Sequence, residues 1–464
     1  MKRRTFLSLS LAAAAAGPAI AKPASVSVTV GDKVLATMPR DFNGISYEST
    51  QLYNSGYFSP KNTQLVAAFR NLSRNGVLRF GGSLSNSSRW KSDAGTFETP
   101  EQSAIIEEGK TKKWEWKLCD PTVRDHRDGA ITPAALSTLS GFCNATGWRV
   151  IYGLDCGAGG PERARDEAAH VAAALGDRLL AFQVGNEADF FRKYRAADKA
   201  PADFTLYDRD YQGFVAAVRQ AVPHAPFGGP DTALNMDWVK AFAARNGKDA
   251  VLLSSHFYAM GPGTDPSQNA ELLLSGKSRL KQLIAQAREA SAVAGVPFRL
   301  AETNSCHRGG RPGVSDAFAS ALWGADMMLE TAAAGFAGVN LHGGGDGFYT
   351  PIEVTESGGT ALRPLYFGMQ FAEMFAGAEF LACEAKADAN VTAYAARKGR
   401  TKLLALINKG PQAVAIAQNW VKPVRATVLK APALDAKTGV TLTTAAHRAS
   451  VVTLADYSAA MLIG

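Results

Sequence analysis

The chain has 464 residues, 46% of them hydrophobic and 20% charged, with a formal net charge of +8. These are the proportions of an ordinary globular protein, long enough for a barrel of roughly 250 residues plus a smaller domain. Past the N-terminus no run of about 18 or more apolar residues occurs, so no internal membrane span is expected. No Lys/Arg cluster interleaved with aromatics gives a footprint for nucleic acid.

The first residues, Lys2-Arg3-Arg4-Thr5-Phe6-Leu7, look like a twin-arginine export motif. An alanine-rich apolar core and the small-residue site Ala19-Ile20-Ala21 complete a leader over residues 1–21. The expectation is export in a folded state to the periplasm or medium. The cysteines (Cys119, Cys143, Cys156, Cys306 and Cys383) are odd in number, scattered and without metal-ligand spacing. That pattern fits a chain that does not depend on a disulfide framework.

After the leader, residues 25–30 alternate with period two and read as a half-buried strand, with a second short run at 33–37. From Phe42 the pattern changes to short apolar strands separated by helical stretches. Strands are expected at 42–48, 77–82, 149–154, 179–184, 227–231, 251–258, 298–304 and 338–342. Helices are expected at 61–72, 132–146, 161–175, 207–222, 236–246, 269–294 and 315–334. Residues 83–121 are polar and poorly periodic, a loop long enough to be functional. Eight βα units make a closed (β/α)8 TIM barrel over residues 41–376 the natural reading. Beyond residue 377 short strands at 390–394, 402–407, 421–429, 439–444 and 450–454 indicate an antiparallel β-sandwich, completed by the N-terminal strands of residues 22–40.

Chemistry is expected at two strand tips. Residues 179–184 are apolar and end in Gly185-Asn186-Glu187, the tip of the fourth strand. The seventh strand delivers Glu302 in the same way. The C-terminal ends of the strands form the face where barrel enzymes work. A single strand-end glutamate is commonly the partner of a helix cation. Two of them on two strand ends of one barrel are what a retaining glycosidase requires, one as acid/base and one as nucleophile. The glycine run 343–347 lacks the Lys-Ser/Thr of a phosphate loop. Neither a His-Glu-x-x-His motif nor a Gly-x-Ser-x-Gly elbow is present. No metal or organic cofactor is expected.

Residues 78–82 (LRFGG), 184–187 (VGNE), 301–306 (AETNSC) and the glycine-rich block Gly309-Gly310 to Phe318 resemble the heparanase-like family, which includes heparanases and bacterial β-glucuronidases. The resemblance implies Glu187 as acid/base and Glu302 as nucleophile. It places Asn186 on the sugar 2-hydroxyl and Tyr258 against Glu302. Glu48, Arg79 and His256, at other strand ends, are further substrate-binding candidates. Glucuronidases of this kind hold the sugar carboxylate with a Tyr and a Gly amide from the loop after the nucleophile, and a second Tyr after strand eight. Here His307 stands at the first Tyr position, with Gly309 and Tyr349 as the other candidates. The implied activity is a β-glucuronidase acting at glycan ends. Alternatives are an exo-β-glycosidase for another or modified sugar, prompted by His307, and a non-catalytic carbohydrate-binding protein. The partner is in each case a glycan, and the sequence is silent on oligomeric state.

Overall fold

The computed structural model describes residues 24–96, 129–157, 159–193, 203–276, 278–343, 347–354, 359–386, 389–447 and 451–464. The leader, Cys119 and much of the 83–121 segment lie outside the described residues.

Strand β1 (Ala24–Thr37) precedes the barrel. The barrel strands are β2 (Asn43–Glu48) and β3 (Val77–Gly81), then, after the hairpin of β4 (Lys91–Ser92) and β5 (Gly95–Thr96), β6 (Arg149–Leu154), β7 (Leu179–Val184), β8 (Phe227–Thr232), β9 (Ala250–Pro262), β10 (Phe298–His307) and β11 (Gly338–His342). All eight pair in parallel, and β11 returns to β2 to close the barrel. Each strand is covered inside by its opposite neighbours and outside by a helix, which is why the strands read as apolar runs rather than alternating ones. Several helices begin at side-chain caps: Asn62, Thr132, Asp203, Asn235 and Asn269 each accept a backbone N–H of the first turn.

The barrel floor is polar. Arg299 lies there, buried, donating to Asn340 Oδ1 at 2.7 Å and to the carbonyls of Asp41, Ala337 and Phe42 at 3.0–3.2 Å. Burial pushes its guanidinium down to about 10, and it remains charged at neutral pH.

A small hairpin, β12 (Ile352–Val354) with β13 (Thr360–Leu362), leads to the helix Pro364–Glu373. Then β14 (Glu379–Lys386), β15 (Val391–Lys398), β16 (Thr401–Asn408), β17 (Val414–Ala417), β18 (Arg425–Lys430), β19 (Thr441–Ala446), β20 (Val451–Leu454) and β21 (Ser458–Ile463) form, with β1, one nine-stranded sheet. Along β16, Leu404 and Leu406 pack with Val26, Val28, Ile416 and Leu454 in the domain's own core, so the sheet curls into two layers. The alternate residues Leu403, Ala405 and Ile407 belong to the barrel's continuous core. One sheet therefore covers two apolar surfaces, its own and the barrel's. Among the described residues no helix is long and apolar enough to cross a membrane.

The structure departs from the sequence reading in detail. The two expected N-terminal strands are one strand, irregular in register between Val30 and Ala36 and lodged between β14 and β17. The helix expected at 269–294 is two, Ala270–Ser275 and Ser278–Ala294, the first ending at Gly276. Strands β14, β17 and β21 were not expected.

Candidate active site

The fourth barrel strand, β7, ends in a left-handed turn: Gly185 has φ 76° and Glu187 φ 50°. A glutamate in that region costs about 1–2 kcal/mol. Two backbone bonds hold it there, from Glu187 N–H to the Asp231 carbonyl and from Phe190 N–H to the Glu187 carbonyl, both 2.8 Å. The turn swings the Glu187 side chain over the mouth, where it is 18% exposed, and leaves Asn186 buried. Glu302 rises from the interior of β10 and is almost fully covered. One side-chain oxygen of each glutamate lies within 4.8 Å of the other.

Between them stands a buried charge network. Arg79, from β3, donates to Glu302 Oε2 at 2.8 Å, Asp231 Oδ2 at 2.5 Å, Asn186 Oδ1 at 2.6 Å, Ser46 Oγ at 3.0 Å and Gln183 Oε1 at 3.4 Å. His256, at the middle of β9, faces Glu187 Oε1 through Nδ1 at 3.0 Å and Asp231 Oδ1 through Nε2 at 3.3 Å. Burial alone would lower this imidazole. The charges of Glu302 and Asp231, with the bonds to Asp231 and Glu187, outweigh it and raise His256 to about 10. At neutral pH it is an imidazolium donating on both sides. Its approach to Arg79, 3.4 Å between nitrogens, is two donors sharing Asp231 rather than a bond.

Glu302 is the opposite case. Its burial favours the neutral acid, but the charges of His342, His256 and Arg79 and the Tyr258 hydroxyl, donating to Oε1 at 2.7 Å, hold it well below the usual carboxylate range. His342 itself is driven to about 4 by burial and by the Arg79 and His256 charges. At neutral pH it is uncharged, and Arg79, His256 and Tyr258 are what keep Glu302 ionised. Tyr258 stays a phenol, since burial and the Glu302 charge raise it well above 10.

Glu48, at the end of β2, accepts from the Leu84 N–H at 2.8 Å and lies 3.8 Å from His342 Nε2. Burial and the Glu302 charge raise it to about 8, although its side chain keeps 20% of its surface open at the mouth. The carboxyl is thus largely protonated at neutral pH and offers a donor to the cleft.

Glu187, His256 and Glu302 also satisfy the spacing of a three-ligand metal centre. Their surroundings argue for an ion-pair network instead. A guanidinium already sits 2.8 Å from Glu302 Oε2, and both imidazole nitrogens are turned to carboxylates.

On the far side of Glu302, His307 ends β10 with its ring edge-on to Tyr258, centroids 5.9 Å apart. Arg308, Gly309 and Gly310 follow with φ of 62–85°. This left-handed run packs backbone to backbone on the loop after β11: a Cβ on Gly310 would stand 2.8 Å from the Tyr349 nitrogen. Tyr349 in turn meets the His342 ring at 5.7 Å.

The structure therefore gathers Glu48, Arg79, Asn186, Glu187, His256, Tyr258, Glu302, His307, Gly309 and Tyr349 at one mouth. Sequence reasoning missed Asp231 and His342, the ends of β8 and β11. Both occupy the tip position that drew attention to Glu187 and Glu302, and that position was the usable sign.

No family model matches the chain. Two curated relatives do: a β-glucuronidase from Aspergillus niger, 27% identical over 230 residues, and one from Neurospora crassa, 26% identical over 243. These relatives support the heparanase-like glucuronidase family. The matches cover 44% and 46% of this chain, and 42% and 43% of the relatives' length. Among solved structures, a 4-O-α-L-rhamnosyl-β-D-glucuronidase from Fusarium oxysporum 12S superimposes with TM-score 0.72 at 17% identity, over 94% of this chain and 99% of that one. A family 51 arabinofuranosidase from Xanthomonas axonopodis pv. citri gives 0.68 at 15% identity, over 95% and 99%. Identities this low speak to the fold, a barrel joined to an all-β domain. The proteins that this chain resembles are glycoside hydrolases.

Proposed function

We propose that the protein is an exported retaining β-glycosidase, a β-glucuronidase that removes glucuronic acid from glycan ends. The observation that carries this reading is the Glu187–Glu302 approach, within 4.8 Å between oxygens, at the C-terminal mouth of the barrel. Retaining enzymes hold their carboxyl groups about 5–5.5 Å apart, whereas inverting ones leave about 6.5–9.5 Å for a water. In this reading Glu302, held ionised by Arg79, His256 and Tyr258, attacks the anomeric carbon. Glu187 protonates the departing oxygen, then takes a proton from the water that breaks the glycosyl–Glu302 ester. His256 aims Glu187, and Asn186 sits beside the sugar 2-hydroxyl. His307, the Gly309 amide and Tyr349 receive the sugar carboxylate, with Arg79 and Glu48 completing the glycone site.

Glu302→Gln is expected to abolish the covalent glycosyl-enzyme, read by mass spectrometry of the intact protein with a slow 2-fluoro substrate. Glu187→Gln is expected to slow natural glycosides far more than substrates whose leaving groups need little protonation. Proton NMR should show the β-anomer first. An α-anomer as the first product would remove Glu302 as nucleophile.

Export by the twin-arginine route rests on the Lys2-Arg3-Arg4 leader. Replacing Arg3 and Arg4 by Lys should retain activity in the cytoplasm, and unchanged export would exclude the route.

A further inference from the structure

The turn that follows Glu187 forms one wall of a cavity of about 500 Å³, within the range of about 300–1,000 Å³ typical of ligand sites. None of the residues assigned to the glycone lines it. Its walls are the turn after β7 (Asp189 and Phe190), the turn after β8 through Asp237, and one face of the helix Ser278–Ala294. The cavity is tied to the catalytic strand by short links. Phe190 N–H bonds the Glu187 carbonyl, and the Ala233 N–H donates to Asp189 Oδ1 at 3.0 Å.

The order of strands around the barrel gives the cleft a direction. The loops carrying His307, Gly309 and Tyr349 follow β10 and β11, whereas the cavity is walled by the turns after β7 and β8 and by the helix between β9 and β10. A general acid must stand on the side where the leaving group departs, and Asp189 and Phe190, which follow Glu187 on the same turn, line the cavity. Resting on the reading of Glu187 as that acid, we propose that this cavity is the leaving-group subsite and that it takes a neutral, hydroxylated sugar ring.

The lining fixes the chemical class. Phe190 is 42% exposed and offers an apolar face of the kind on which a pyranose ring stacks. Gln282 and Gln286, one helical turn apart, present amide donors and acceptors on the same face. Two acids, Asp189 and Asp237, stand against one cation, Arg279. That guanidinium is placed over the Phe257 ring, 5.9 Å from its centroid. The balance favours uncharged rings over sulfated or uronic ones.

The test compares two substrates with the same uronic acid: its β-fluoride, whose leaving group leaves the cavity empty, and its β-linked disaccharide with a neutral hexose. In Phe190→Ala and in Gln282→Ala/Gln286→Ala, the disaccharide-to-fluoride ratio of kcat/KM should fall about tenfold, equivalent to about 1.4 kcal/mol. The fluoride also reports that each variant is folded. Wild type should prefer the neutral disaccharide to one sulfated on the hexose, and Asp237→Asn should narrow that preference. An unchanged ratio in both variants, or a wild-type preference for the sulfated ring, would overturn the subsite. Failure of wild type to turn over the fluoride would instead remove the glycosidase reading, and the subsite with it.

Discussion

Arg79 uses all five of its N–H donors inside the barrel, on Glu302, Asp231, Asn186, Ser46 and Gln183. Lysine offers three donors from a single point and could not replace this fork. The contrast with Arg299 is instructive, because the same side chain at the floor meets only neutral oxygens among the described contacts. The charge at the floor fills space between strand ends; the charge at the mouth selects which carboxylates stay ionised. Glu48, at the same mouth, is held in the opposite state. Its proton is held to about 8 in the folded chain against 4.5 for the free group. The folded state therefore binds more protons than the unfolded one between those values. This contribution to stability is fully present below 4.5 and is lost as pH rises through about 8. Glu48→Gln should flatten the fall in melting temperature across that window, measured by calorimetry at stepped pH. An identical fall in the variant would show that Glu48 ionises normally. His307, by contrast, could be placed from sequence only because it departs from a pattern; its contact with Tyr258 required the fold.

At the scale of elements, the turn after β3 is where backbone and site meet. Gly82 has φ 77°, and a Cβ there would run into the Glu48 carboxylate. Gly82→Ala should cost at least about 1–2 kcal/mol in denaturant unfolding from backbone conformation alone. It should also lower turnover, since Glu48 must move. A variant as stable and active as wild type would show that the turn is free to rearrange. Most barrel strands were legible because they begin as apolar runs and then turn polar, and two of those changes fall at Glu187 and Glu302. The strand at 227–231 was expected, but Asp231 did not stand out in it: Gly228-Gly229-Pro230-Asp231 has the composition of a turn rather than of an apolar run ending in a carboxylate. His342 was hidden by the glycines that follow it. In the all-β domain β21 escaped because all six residues are buried, leaving no alternation to read. β17 is only four residues long. β1 was divided at Gly31-Asp32, where the structure carries the chain through with a shift of register.

Across the whole molecule, the two domains are joined by a buried ionic contact as well as by a shared core. Asp326, on the helix Phe318–Ala333 that follows β10, accepts from Lys409 Nζ at 2.6 Å, Tyr394 at 2.7 Å and Thr392 at 2.6 Å. Both charged side chains are under 5% exposed. Removing one partner strands the other, which typically costs about 3–5 kcal/mol, whereas replacing both by apolar residues of similar size is often near neutral. Lys409→Met should therefore lower the melting temperature sharply, and Lys409→Met with Asp326→Leu should recover much of the loss. Equal losses in the single and double variants would show that the hydroxyl bonds, not the ion pair, carry the contact.

The position of β1 imposes an order on biosynthesis. Among the described strands it is the first to leave the ribosome, yet both its neighbours, β14 and β17, lie more than 300 residues further along the chain. The barrel can close while β1 still has two open edges, and an open strand edge is a template for unwanted pairing. Every nascent chain thus passes through an interval in which its N-terminal strand is exposed and its sheet cannot yet exist.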